Sequence, residues 1–175
     1  METERLRLRR WRPEDRAGLA AINGDAEVMR WIGSGRVLGR GLSDELVDRF
    51  EAEWRDRGYG LWAVEWKDGG GGLLGFCGLT SPSFMVDADA APAAEIGWRL
   101  ARAAWGRGVA TEAARAAVAY GFGERCGLRE IVAVVAPENA RSLRVVEKLG
   151  MEPRPDRWHA PSRGRVKVFG LRPER

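Results

Sequence analysis

Two glycines one residue apart, Gly106 and Gly108, stand between a strand-like run and a helix-like run. The segment LARAAWGRGVATE, Leu100 to Glu112, ends a strand, turns tightly and starts a helix. The unpaired N–H groups of such a first turn, backed by the positive end of the helix dipole, make an anion site suited to a pyrophosphate. Glycine at both positions lets the backbone come close to phosphate oxygens, and Arg107 adds charge at the rim. The same G-x-G spacing also serves ordinary tight turns, so both readings stand. No Lys-Ser or Lys-Thr follows, which excludes a Walker loop, and Thr111 takes the place of the third glycine of a dinucleotide fingerprint.

The scarcity of other reactive residues narrows the chemistry further. His159 is the sole histidine, in a polar, loop-like stretch, and Cys77 and Cys126 are far apart with no C-x-x-C spacing. A zinc site built on several His and Cys ligands cannot be assembled from them, and a nucleophile with a histidine partner would have to use His159, which no elbow motif feeds. His159 reads as a surface or substrate-rim residue, and the cysteines read as small apolar residues with no disulfide. Four consecutive glycines, Gly69 to Gly72, precede a strand rather than a helix and read as a hairpin turn.

The chain has 175 residues, enough for one domain that buries roughly 70% of its unfolded surface. Hydrophobic residues make up 45% and charged residues 31%, which excludes a wholly disordered chain. Basic residues number 29 against 25 acidic, all of them Arg except Lys67, Lys148 and Lys167. They are interleaved with Asp and Glu, so nucleic acid is a disfavoured partner, whereas a small phosphorylated molecule suits the charge. No apolar run approaches the roughly 18 residues of a membrane span, and the first ten residues alternate charge with Leu where a secretory signal needs an apolar stretch. A cytoplasmic protein with no membrane partner is expected.

The elements that must carry the glycine loop follow from periodicity. Leu6 and Leu8 alternate with arginines in a strand, and Pro13 opens a helix that Gly24 ends. Leu46, Val47, Phe50 and Trp54 mark an amphipathic helix from Ser43 to Arg57. YGLWAVEW and LLGFCGLT form a hairpin, and after a loop with Asp87 and Asp89 comes the strand AAEIGWRL. An alanine-rich helix spans about Gly108 to Arg125, EIVAVVA from Glu130 is a buried strand, and a helix runs from about Ala140 to Leu149. Two strands close the chain, near Met151 to Asp156 and Arg165 to Leu171. The order predicts one α/β (α+β) domain over residues 1–175, with a mixed sheet of about seven strands and helices on both faces.

The run WGRGVATEA, the strand EIGWRL before it and PENARSLRVVEKLGM some thirty residues after it resemble, in order and spacing, the GNAT superfamily of acyl-CoA-dependent N-acetyltransferases. The resemblance is closest to the branch that includes the ribosomal-protein (Rim-type) acetyltransferases, and it covers essentially the whole chain. It implies a largely antiparallel sheet with a splayed central strand pair. It implies that the N–H groups of Gly106, Arg107, Gly108, Val109 and Ala110, with Thr111, hold the pyrophosphate of acetyl-CoA as co-substrate. It also implies that the strand bearing Trp98 and Leu100 pairs with the pantetheine arm, which Asn139 would hydrogen-bond. Trp105 stands where the superfamily has Gln or Arg, and Val146 stands where it often has a tyrosine general acid. In the Rim-like branch Ser142 of the N-x-x-S pattern would replace that acid. Asn139 also reads as a helix N-cap and Ser142 as an ordinary first-turn serine.

The chemistry demanded is modest, because an α-amine titrates near about 8 and a thiol near about 8.5. Positioning, plus one backbone N–H such as that of Leu100 on the oxyanion, supplies much of the acceleration. Glu95 is the candidate base through water; its other reading is a strand residue facing solvent or an Arg. Asp87 and Asp89 are expected to tune acceptor binding, and Trp31 and Trp158 to line an acceptor pocket. Trp54, Trp62 and Trp66 read as core. The expected reaction is acetyl transfer from acetyl-CoA to a primary amine, on a protein N-terminus or a small molecule, with no metal. The alternative is a CoA-binding sensor or structural protein without turnover. A homodimer through an exposed strand or tryptophan surface is compatible with either.

Overall fold

The structure, a computed structural model, describes residues 1–82, 93–159 and 164–173, and of 156–159 the backbone alone. Seven strands form one sheet: β1 (Leu6–Arg9), β2 (Leu61–Trp66), β3 (Leu73–Thr80), β4 (Ala93–Leu100), β5 (Glu130–Val135), β6 (Glu152–His159) and β7 (Gly164–Leu171). Their spatial order is β1-β2-β3-β4-β5-β7-β6, and every neighbouring pair is antiparallel except β4–β5. The helices are α1 (Asp15–Asn23), α2 (Ala26–Met29), α3 (Arg40–Arg57), α4 (Val109–Phe122) and α5 (Ala140–Lys148), with a 3-10 turn at Arg102–Ala104.

Strand alternation sorts the core into two layers. Leu61, Ala63 and Phe76 point to one face, where they meet Leu19 of α1 and Val47 and Phe50 of α3. The Phe50 and Phe76 rings there stand 5.2 Å apart. Cys77, Leu79, Ala94 and Ile96 point to the other face and meet α4 and α5. The alanines on the buried side of α4, Ala113, Ala114 and Ala117, are fully covered. At Gly121 a Cβ would stand only 2.8 Å from Leu79 Cδ1, so small side chains are what let this helix lie on the sheet. The expected sheet with helices on both faces is therefore the observed architecture.

Four elements depart from expectation: α3 begins at Arg40 rather than Ser43, α4 ends at Phe122 rather than near Arg125, and α2 and β6 differ more. α2 lies in the stretch between the two expected helices; four residues are too few to carry an apolar period, though Asp25 caps it by accepting from the Glu27 N–H at 2.9 Å. β6 continues to His159 rather than stopping near Asp156, so the backbone of His159 is strand, paired with Gly164. The pairing shifts between Arg154 and Arg157, where Pro155 has no N–H to give, and resumes beyond the bulge.

Arg9 joins the first strand to the first helix. Its guanidinium donates to both oxygens of Asp15, at 2.6 and 2.9 Å, and to Glu65 at 2.8 Å. Asp15 also accepts the Arg12 N–H at 2.8 Å. Burial alone would raise the Asp15 carboxyl, but the bonds from Arg9 and the Arg12 N–H outweigh it and hold the group below its ordinary value. Because that pKa is depressed on folding, the stabilisation is complete above the ordinary carboxylate range and is lost as pH falls below about 4. Urea denaturation is expected to show Asp15→Ala less stable by about 3 kcal/mol at pH 7, and the gap between the two proteins to narrow below about pH 4.

Candidate active site

β4 and β5 start as parallel neighbours and then part. Register runs Ala93↔Glu130, Ala94↔Ile131 and Glu95↔Val132 and goes no further, although β4 extends to Leu100 and β5 to Val135. Ala101 N–H donates to the Leu74 carbonyl at 2.9 Å. By the alternation of an antiparallel ladder, Arg99 and Gly97 then bond to β3, while Trp98 and Leu100 turn their backbone groups to the gap beside β5. The Leu100 carbonyl takes the indole N–H of Trp105 at 2.8 Å. The gap belongs to a cleft of about 560 Å³ that reaches both faces of the sheet.

At one end of this cleft the chain turns into α4. Gly106 and Gly108 have φ of 73° and 80°, the left-handed region that glycine enters at least cost. The first i→i−4 bond of α4 runs from the Glu112 N–H to the Gly108 carbonyl at 3.0 Å, so the amides of Val109, Ala110 and Thr111 precede it as the orphan donors of a helix start. Glu112, which would neutralise them, is drawn away. It accepts from the Thr3 hydroxyl at 2.6 Å and from the Arg5 amide and Nε, both at 2.8 Å. Burial would raise its carboxyl, and these donors more than compensate, holding it below its ordinary value.

On the α5 side, Asn139 caps the helix by accepting the Ser142 N–H at 3.2 Å, and Ser142 Oγ accepts the Trp98 indole N–H at 3.3 Å. Asn139, Ser142, Arg141, Arg144 and Lys148 line the cleft, and the Arg141 guanidinium stands 4.6 Å from the Trp105 ring centre. Val146 is a core residue, 2% exposed, so its position presents nothing to the cleft.

The cleft wall on the other face is formed by Trp31, Phe50, Phe76, Thr80, Glu95 and Arg99, among others. Thr80, opposite Glu95 in register, donates to Glu53 at 2.6 Å. Arg99 donates to the fully buried Asn23 at 2.5 Å, and Asn23 donates on to the buried Ser43 at 3.0 Å. Burial pushes the Arg99 guanidinium down to about 10. Glu95 and Ser142 thus approach the cleft from opposite faces of β4.

A profile of the acetyltransferase (GNAT) domain matches residues 5–152. The chain belongs to the GNAT family of acetyltransferases. The uncharacterized protein YkkB of Bacillus subtilis is 37% identical to it over 155 residues, 85% of this chain and 83% of that one. An acetyltransferase from Agrobacterium tumefaciens superposes with a TM-score of 0.79 at 25% identity, covering 99% and 94% of the two chains. RimL, a ribosomal L7/L12 α-N-protein acetyltransferase solved in complex with coenzyme A, shares the fold at 15% identity and a TM-score of 0.75, over 97% and 95% of the chains.

In this GNAT domain Glu95, Trp98, Leu100, Trp105, Gly106, Gly108, Val109, Ala110, Thr111, Asn139 and Ser142 all border the one cleft. Arg107 does not: its guanidinium lies 4.5 Å from the Trp66 ring centre and its carbonyl accepts from Arg5 at 3.0 Å, so the rim charge expected of it is turned outward. Trp31 lines the cleft, whereas Asp87, Asp89 and the side chains of Trp158 and His159 lie outside the described residues. Cys77 is fully buried, its thiol pushed up to about 12, and is inert as expected. Among the described residues no group of His, Cys, Asp and Glu is arranged to hold a metal, and no helix is long and apolar enough to cross a membrane.

In the GNAT cleft and in the shell behind it stand residues that sequence reasoning passed over, of which Arg99 lines the cleft itself. Arg99 was legible in principle, since it shares the alternation of Glu95 and Gly97; Asn23 and Ser43 had no signal beyond their polarity at buried helix positions. Gly75 is another, with φ 138° and room for a Cβ only 2.1 Å from the Arg99 carbonyl oxygen. Gly75→Ala is expected to cost more than about 2 kcal/mol in urea denaturation, because it must push β4 away. Gly97→Ala, where nothing lies within 4 Å, is expected to change stability by less than about 1 kcal/mol.

Proposed function

We propose that this GNAT domain transfers an acetyl group from acetyl-CoA to a primary amine by direct attack within a ternary complex. The observation that carries the reading is the parting of β4 and β5 after Glu95, because it puts unpaired strand edge, glycine loop and helix start on one cleft open to both faces of the sheet. The donor set fits a phosphorylated, amide-bearing co-substrate. The amides of Val109, Ala110 and Thr111 suit a pyrophosphate, and Arg141, Arg144 and Lys148 add positive charge along the same cleft. The edge groups of Trp98 and Leu100, with the side-chain NH2 of Asn139, suit an amide-bearing arm.

Acetyl-CoA supplies the thioester. In the proposed reaction the free amine nitrogen bonds to the thioester carbonyl carbon, and the Leu100 N–H supports the oxyanion that forms. The C–S bond then breaks, the proton from the amine passes through water to Glu95, and the sulfur takes a proton from the Ser142 hydroxyl, which regains one from water as Glu95 returns its own to solvent. Trp98 holds the Ser142 oxygen by its indole N–H, which orients the hydroxyl and makes it a better proton donor. The opposite approaches of Glu95 and Ser142 fit these opposite proton movements.

The RimL neighbour, a ribosomal-protein α-N-acetyltransferase, supports an α-amine as the acceptor class, whether on a protein or on a small molecule.

The test is calorimetric titration with acetyl-CoA followed by thiol release in the presence of primary amines. Binding with amine-dependent release is expected. Binding without release would leave a coenzyme-binding protein, and no binding would overturn the reading. Gly108→Val, which places a β-branched residue at φ 80° beside Arg5, is expected to lose coenzyme binding while circular dichroism shows a folded protein. Ser142→Ala is expected to lower kcat about tenfold or more with the dissociation constant for acetyl-CoA unchanged.

A further inference from the structure

Arg99 is a cleft side chain, largely withdrawn from solvent, that no carboxylate among the described residues meets. It sits on the face of β4 that meets α1 and α3, with its guanidinium carbon 5.1 Å from the Phe76 ring centre. Nη1 is tied to Asn23 Oδ1. Nε is buried without a hydrogen-bond partner, the one such side-chain atom among the described residues. Arg9, also withdrawn from solvent, is held by two carboxylates; among the described residues no carboxylate forms an ion pair with Arg99. A guanidinium taken out of water without an anion is destabilising, so a residue serving only the fold would not be expected in this state.

Its anchorage is nonetheless well defined. Asn23 and Ser43 are both fully buried, and the chain Arg99–Asn23–Ser43 joins β4, α1 and α3, gripping the guanidinium by one edge. The opposite edge, Nε and Nη2, has the geometry of the side-on fork that pairs two parallel N–H bonds with a carboxylate; Nε is covered as the structure stands, so a bound oxyanion must shift the wall beside it to use both. The same wall carries the apolar Phe50, Phe76, Trp31 and Ile32 beside the polar Glu27, Arg49, Thr80 and Glu95, and the apolar part strengthens a charge pair formed against it.

We propose that Arg99 receives an anionic group on the acceptor, so that the acceptor is a small amine carrying a carboxylate or a comparable oxyanion. This rests on the acetyl-transfer reading above and specifies its substrate. Polyamines and other purely cationic amines are excluded as preferred acceptors, because they would leave the buried charge unpaired and add another beside it.

The experiment uses matched sets: an amino acid, its amide, its decarboxylated amine and the corresponding aminoalkylphosphonate, for several side chains. Each is assayed by thiol release with acetyl-CoA and, independently of turnover, by thermal shift in the presence of CoA. The wild-type protein is expected to favour the oxyanion-bearing members by about tenfold or more in kcat/KM and to be stabilised by them. Preference for the carboxylate or for the phosphonate identifies which oxyanion the fork takes. Arg99→Gln is expected to abolish that preference by weakening the oxyanion-bearing members alone, with acetyl-CoA affinity unchanged and Tm equal to wild type or higher. Equal activity and binding across a set, or no stabilisation by any oxyanion-bearing member, would overturn the assignment. So would an Arg99→Gln protein that loses all acceptors equally together with Tm. Failure to bind acetyl-CoA at all would instead strike the acetyl-transfer reading, and the thermal shifts without turnover keep the two failures apart.

Discussion

The chain's architecture turns on a backbone constraint: in a sheet, every buried N–H and C=O must find a partner, and between β4 and β5 that requirement is met for only three residue pairs. Beyond Glu95 and Val132 the two strands keep their extended form but lose each other. Elsewhere the sheet is laddered, so the parting concentrates unspent hydrogen-bonding capacity in one place. The flanking features all work to keep it open. Gly75 brings β3 close against the last residues of β4 on one side, and the Trp105 indole closes over the Leu100 carbonyl at the far end.

Electrostatics divide along the same line. On the α4 and α5 side the charges of the first turn of α4 are taken elsewhere, Glu112 by Arg5 and Thr3 and Arg107 by Trp66, which leaves the positive potential to the helix start and to Arg141, Arg144 and Lys148 of α5. On the α1 and α3 side a single guanidinium is embedded among aromatic rings. One face of the sheet thus combines backbone donors with exposed cations, and the other holds a cation largely withdrawn from solvent.

Much of this was legible in the sequence because it depends on local rules. The glycine pair before an amphipathic run announces a tight turn and a helix start, and the alternation in AAEIGWRL and EIVAVV announces strands, so the order of elements and the cleft-lining loop followed directly. What stayed hidden depends on pairing across long separations. The three-residue extent of the β4–β5 ladder is a property of two strands thirty-seven residues apart at their start, and only the parting of the pair came through, by family resemblance rather than periodicity. The partnership of Arg99 with Asn23 and Ser43 joins three elements whose sequences give no hint of one another. Arg107 was assigned to the rim from its place beside the glycines; the aromatic ring that captures it lies forty residues earlier, on β2.

The bulge in β6 bears on how copies of this molecule can meet. β6 is an outer strand of the sheet, and it carries Pro153 and Pro155, neither with an N–H to offer, around a break in register between Arg154 and Arg157. At the opposite border Glu2 folds back to bridge Arg7, so the first residues already lie along β1. Neither border offers a long, straight ladder of free amides, and the sheet is poorly suited to growing by strand addition. Self-association in this protein would have to be written in side chains, which makes it sensitive to surface substitutions and leaves little route to edge-templated aggregation.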